Sequence, residues 1–446
     1  MDIEISVLIL LLSVLAGYTL GIFSGLVPGI HTNNFALMLV ALSPIFMDWG
    51  IPPTYIAVAI VANSLSHSFH DIIPAIYLGA PNDDMALAVL PGHRLLLDGY
   101  GSEAIRLSAL GSAGSVVVSL LLAVPLAFAF SILYPVLQSY LGWLLLIISI
   151  ALIMTEKGER VINQGSLVKY KYKAYALILF LLTGILGTFA FRMESNMNPL
   201  IDMGSASILL PLLSGLFGAS QLIISLFSGS SIPPQKYSKM ELPVKRIIRG
   251  VITGSAAGSI VAWLPGISSS IAAVLARLFI RSNFEKETVI EEEDFDEQME
   301  GSKEFIIAVS GVNTANAIFG LFALAVIGKT RSGAMVAINE IIDAASLDQQ
   351  FILLFLIVIS LTAFLSYFST IKIGNNIHRL LAKLDYSKIC ITVLAGLTLM
   401  SLLFTGPFGL MIFMIAIPLG MSASFMKIRR SHAMGVILLP VILYFL

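Results

Sequence analysis

Charge is what this chain has least of. Of its 446 residues only 12% are charged, roughly half the share of a soluble domain, and 57% are hydrophobic. No polar stretch is long enough for a soluble catalytic domain; the longest runs over residues 281–304. The single cysteine, Cys390, excludes an internal disulfide and a cysteine metal cluster. The net charge is −1 and no basic stripe interleaved with aromatics exists, so no nucleic-acid partner is expected. Met1-Asp2-Ile3-Glu4 is acidic where a signal peptide is basic, and no cleavage pattern follows. The first apolar run is therefore expected to be retained. What remains is one apolar run after another, the pattern of an all-α, multi-pass membrane protein.

One stretch occurs twice. Gly17 and Gly21 lead into Val27-Pro28-Gly29-Ile30-His31-Thr32-Asn33-Asn34. Shifted by 237 positions, Gly254 and Gly258 lead into Leu264-Pro265-Gly266-Ile267-Ser268-Ser269-Ser270. Pro lacks an N–H and Gly tolerates positive φ, so Pro28-Gly29 and Pro265-Gly266 break their helices. In hydrocarbon a break survives only inside protein or beside a polar cavity. Matched breaks in two halves of a chain point to a transporter's binding site. A Pro-kinked helix would explain one copy; two copies with matched glycines and polar exits favour a functional break.

A membrane span needs about 20 residues, and the runs 35–46 and 267–280 are too short. We read 5–46 and 251–280 as re-entrant hairpins, each followed by about five crossings. Basic residues cluster at 157–173, 236–249, 372–388 and 427–430, and non-crossing hairpins put all four clusters on the cytoplasmic side. The expected organisation is a first inverted repeat at 1–235, a cytoplasmic linker at 236–250 and a second repeat at 251–446. The second carries a solvated acidic loop at 281–305.

A second element also repeats. After each hairpin a long apolar crossing carries a polar stretch: Asn63-Ser64-Leu65-Ser66-His67-Ser68-Phe69-His70-Asp71 in one, Asn313-Thr314-Ala315-Asn316 in the other. Further on come Leu78-Gly79-Ala80-Pro81-Asn82-Asp83-Asp84 and Ile327-Gly328-Lys329-Thr330-Arg331. A shift of 249 aligns His67 with Asn316 and Gly79 with Gly328. Each crossing is thus expected to break twice. Ionisable groups at membrane depth are costly and usually functional. His67, His70 and Asp71 are either interhelical hydrogen-bonders or proton- or ion-coupling groups. Asp83, Asp84, Lys329 and Arg331 either mark helix ends or serve the site.

These residues resemble the large permease subunit of tripartite tricarboxylate transporters. The family's Gly-rich helix into Pro-Gly is followed by an Ile-Pro-Ala-Ile segment, here Ile73-Pro74-Ala75-Ile76. Its Asp-Gly with a later Gly reads here as Asp98-Gly99-Tyr100-Gly101. Its later features stand as Glu300-Gly301, Thr314-Ala315-Asn316-Ala317 and Ile327-Gly328-Lys329-Thr330. The ordered match covers most of residues 10–340. It departs where Pro81-Asn82 and Thr330-Arg331 replace Pro-Gly. The resemblance implies a small membrane subunit and an extracellular binding protein as partners.

The expected function is secondary transport, not enzymatic: a small organic anion crosses the cytoplasmic membrane, coupled to Na⁺ or H⁺, at one central site. No cofactor is expected beyond Na⁺ as a coupling ion, and no metal site. The expected site residues are His31, Thr32, Asn33, Asn34, Ser268, Ser269, Ser270, Asn313, Thr314 and Asn316, with Lys329 and Arg331 as counter-charges. Pro28, Gly29, Pro265, Gly266, Gly79, Pro81 and Gly328 shape the breaks. A polyprenyl-phosphate translocase would use the same helix N-termini and stays open, as does a homodimer. A membrane enzyme or assembly factor leaves the paired breaks unexplained.

Overall fold

The computed structural model describes residues 6–27, 32–77, 85, 91–92, 95–96, 98–156, 168–201, 208–228, 235, 242–264, 269–280, 292–342, 347, 349–381 and 386–446. Before the linker these form α1 (Val7–Leu26), α2 (Thr32–Asp48), α3 (Pro53–His70), α4 (Ile72–Tyr77), α5 (Gly101–Ser139), α6 (Leu141–Met154) and α7 (Val168–Arg192). Then α8 (Leu209–Leu213) runs through a π-helical turn, Ser214–Ala219, into α9 (Ser220–Ser228). After the linker come α10 (Val244–Val261), α11 (Ser269–Phe279), α12 (Glu292–Ile327), α13 (Gly333–Ile341), α14 (Gln349–Leu381), α15 (Tyr386–Phe425) and α16 (Gly435–Phe445). No strand occurs among the described residues, and seven helices there are long and apolar enough to cross a membrane. The chain is a polytopic all-α membrane protein.

The centre belongs to α3 and α12. Of their apolar windows 94% and 89% is buried, against 22% for α1 and for α5. Glycines set the packing. A Cβ on Gly17 would run into the carbonyl oxygen of Ala59, and one on Gly21 would meet the carbonyl oxygen of Asn63. After the linker, Gly254 stands in the same way against Ala308 and Gly258 against Val312. The glycines are 237 positions apart and their partners 249 apart, so the same helix–helix contact is made twice. Small-residue stripes let backbones approach where no hydrophobic force drives helices together in lipid. Gly254→Val and Gly17→Val are each expected to destabilise by roughly 1–3 kcal/mol through overpacking. Thermal unfolding of the solubilised protein reads this out; a neutral Gly254→Val would mean that the contact is loose.

These contacts also fix directions. Partners advance together along α1 and α3, and again along α10 and α12, so each pair runs parallel. The intervening α2 and α11 therefore carry the chain back to the end it came from. Ser6 N–H donates to the Tyr55 hydroxyl (2.8 Å), which puts the starts of α1 and α3 at one end.

The expected break at each polar stretch needs correction. Both α3 and α12 stay helical through Asn63–His67 and Asn313–Asn316. The polar side chains satisfy themselves locally or across helices: Ser68 donates to the Leu65 carbonyl and His70 Nδ1 to that of Ser66 (2.7 Å). The first interruption comes later, at Asp71, where Pro74 has no N–H to offer the His70 carbonyl. The second long helix runs on to Ile327 and stops at Gly328, whose φ of +63° lies in the left-handed region. Gly79, Pro81, Asp83 and Asp84 lie outside the described residues.

One end of the bundle is charged. Lys303 Nζ lies 2.7 Å from Glu103, Arg246 pairs with Glu300 at 2.9 Å, and Arg249 grips Glu304 with two nitrogens. Gln235 accepts from Gly101 N–H, and Arg106 donates to Asn375. The linker, the end of the acidic segment, the start of α5 and the end of α14 thus meet there. At another corner Glu156 takes Arg429 (3.1 Å) and His432 (2.7 Å).

Candidate functional site

Each hairpin is tied to the long helix that follows it. In the first, the Asn63 carboxamide joins both limbs: Nδ2 donates to Thr32 Oγ1 (3.1 Å), and Oδ1 lies 3.5 Å from the Ser24 hydroxyl. Ser24 also meets His67 Nδ1 at 2.9 Å. In the second, Asn316 Nδ2 donates to Ser269 Oγ at 3.0 Å. Ser269 is Thr32 shifted by 237 positions, so corresponding residues are held in the same manner. Thr32, Ser269, Asn63 and His67 are all buried.

The depth follows from helix geometry. At 1.5 Å per residue, Asn316 stands about 18 Å from Glu304 and about 17 Å from Ile327. Asn63 lies about 15 Å from Pro53 and about 21 Å from Tyr77 by the same measure. Both amides are therefore near the middle of their spans. α3 and α12 run antiparallel where they meet: Ser68 faces Thr314 (3.4 Å), while Asp71 accepts from Asn313 Nδ2 (2.8 Å). Val61 and Leu321 line one small cavity farther along. On that register the two tip hydroxyls differ in depth by only about one helical turn. From there α2 and α11 run in opposite directions, so their N-termini, the positive ends of the helix dipoles, point toward a common level.

Thr32, Ser269, Asn313, Thr314 and Asn316 are brought to this level, with His67, His70 and Asp71 beside them. His70 Nε2 reaches Ser369 of α14 at 2.8 Å. Pro28, Gly29, His31, Pro265, Gly266 and Ser268 lie outside the described residues, as do the side chains of Asn33, Asn34 and Ser270. Lys329 and Arg331 are not brought to the tips. They follow the end of α12; Lys329 is exposed, and Arg331 donates to the Tyr134 hydroxyl (2.8 Å) at the far end of α5. Gly328 shapes that end. Arg331→Ala is accordingly expected to leave anion affinity within about twofold, since its guanidinium bonds Tyr134 and neither tip, and changes at sites that share no partner act independently. A tenfold loss in a binding titration would bring Arg331 into the site after all.

Two residues, Ser24 and Trp263, and the role of a third, Asn63, escaped sequence reasoning. Ser24 sits one helical turn before Pro28, a position that could have flagged it as a tip clasp. Asn63 was in view as part of a break, not as the tie to Thr32. Trp263, two residues before Pro265, is fully buried, and its indole N–H has no acceptor among the described residues. An orphaned buried donor costs about 1–3 kcal/mol.

Residues 11–435 match the profile of the tripartite tricarboxylate transporter TctA family. The chain belongs to that family. The family is one of transporters, so the paired tips belong to a transporter and not to an enzyme. An uncharacterized protein of Methanocaldococcus jannaschii, MJ1079, is 25% identical over 447 residues, covering 98% of this chain and 99% of its own. No solved structure matches the chain.

Proposed function

We propose that the chain is a secondary transporter for a small organic anion of the di- or tricarboxylate kind, driven by Na⁺ or H⁺ across the cytoplasmic membrane. The reading rests above all on one observation: Thr32 and Ser269, corresponding residues at the two tips, are each held by an asparagine near the middle of the bundle. Converging helix N-termini offer an anion several N–H donors without burying a fixed positive charge. Between substrates, Asn63 and Asn316 hold the tip hydroxyls. With an anion bound, the tip donors turn to it. Alternating access is then a rocking of the two halves about this level, with the α3–α12 crossing at Asp71–Asn313 as the joint that changes. Membership of a tripartite family favours a small membrane subunit and an extracellular binding protein as partners.

Reconstitution tests the reading. Proteoliposomes given citrate, succinate or phosphate under imposed Na⁺ or pH gradients are expected to take up a carboxylate only when a gradient is present. Absence of gradient-driven uptake, together with translocation of a polyprenyl phosphate, would replace this reading with the lipid-carrier one. Sidedness has its own check. Single cysteines placed at 157–173, 236–249, 372–388 and 427–432 should resist an impermeant thiol reagent in intact cells, and ready labelling at two of the four loops would refute the hairpin topology.

A further inference from the structure

We propose that the Trp263 indole N–H donates to the anion at the second tip, an assignment that rests on the transport reading above. The ring is fully buried and lies flat on Phe130 of α5, centroids 4.4 Å apart and planes 2° from parallel. That stack fixes the ring plane. The N–H meets no acceptor among the described residues. Buried donors are nearly always paired, so a rigidly held one without a partner calls for a ligand to complete it.

Its depth is that of the tip. Gly250, Gly254 and Gly258 of α10 stand against Glu304, Ala308 and Val312 of α12. α10 ends at Val261; the ladder's spacing carried one turn past that end sets the Trp263 backbone level with Asn316 and Ala317, and Asn316 holds Ser269. The position 237 residues earlier is Leu26, so the first tip has no such donor. The site is then unequal at its two ends. The first tip offers amides and hydroxyls; the second adds one neutral, directional N–H on a flat apolar ring. A neutral donor orients a carboxylate without the strong hold of a buried cation, and a carrier must also release what it binds.

The test uses fluorescence. The chain has three tryptophans, and the other two, Trp49 and Trp143, are 72% and 59% exposed. Trp49→Phe with Trp143→Phe leaves Trp263 as the sole indole. The full chain in lipid nanodiscs is titrated with citrate and with succinate, and thermal stabilisation is followed in parallel as an independent report of binding. The expected result is an emission shift that saturates together with the thermal shift. Trp263→Phe, which keeps a ring against Phe130, should weaken the half-saturation concentration about tenfold while unfolding normally without anion. A normal thermal shift with unmoved emission and an unweakened Trp263→Phe overturns the role of Trp263 and leaves the transport reading standing. No thermal shift and no uptake with any carboxylate overturns the transport reading, and this inference with it.

Discussion

Replacing Lys303 by methionine is expected to destabilise the protein by about 3–5 kcal/mol, the usual cost of breaking a buried ion pair from one side. Lys303 Nζ stands 2.7 Å from Glu103, and the two side chains are only 11% and 3% exposed. The penalty comes from the partner left behind: the Glu103 carboxylate stays in a place water does not reach, without its cation. Removing both charges should therefore be milder than removing one. Glu103→Leu with Lys303→Met is expected to recover most of the loss, because apolar pairs of similar volume often replace buried ion pairs without penalty. Chemical or thermal unfolding in detergent measures both. The pair joins α5 to α12, helices from opposite sides of the linker, so the single variant should loosen their packing first. Equal stability of Lys303→Met and the parent would mean that water reaches the Glu103 carboxylate in the native state.

The contact made twice was legible because it is written in backbone geometry. Gly17, Gly21, Gly254 and Gly258 keep helical spacing for a reason that acts along each helix, and the shifts of 237 and 249 reappear in what those glycines touch. The helix breaks were legible only in part. Gly328 stops α12 as its residue type suggests, whereas Asn313–Asn316 do not interrupt it. Hydroxyls and amides interrupt a helix when they compete for its backbone, and here they are engaged across helices instead. That depends on what stands opposite and cannot be read along one strand of sequence. The break at Asp71 was readable: Pro74 removes the bond to the His70 carbonyl, but a run of polar residues drew attention upstream. Lys329 and Arg331 carried a charge signal that either reading of a membrane cation would give. Arg331 is bonded to Tyr134, some 200 residues away, and only folding reveals that partner. The alignment by 249 pairs Asn316 with His67, yet the tip is held in the first hairpin by Asn63, one turn earlier. Function there follows which amide reaches the hydroxyl, and the aligned column does not decide it.

Ser269→Ala is expected to lower gradient-driven uptake about tenfold, and Ser269→Leu to reduce it to background, with most of the protein still reaching the membrane. Ser269 is fully buried, and its hydroxyl accepts from the Asn316 amide. Alanine removes, without adding bulk, the hydroxyl that turns to the bound anion; losing one hydrogen bond to a charged ligand costs roughly 1.5–3 kcal/mol, or about tenfold and more in an equilibrium constant. Leucine adds volume where the first turn of α11 must stay open to a ligand. Neither change touches the glycine ladder between α10 and α12, so folding is expected to survive; Gly266→Val, in the Pro-Gly pair that the sequence marks as a helix break, should instead reduce the folded yield. Thr32→Val is the matched change at the other tip: it keeps the shape of the side chain and removes the oxygen that Asn63 binds. If the two tips serve one site, Ser269→Ala and Thr32→Val lower the same half-saturation constant, and the double variant loses less than the product of the two, because one bound anion answers to both. Ser269→Thr, which retains the acceptor, should keep uptake near that of the parent. Full uptake in both Ser269→Ala and Thr32→Val, at equal expression, would move the site away from the tips.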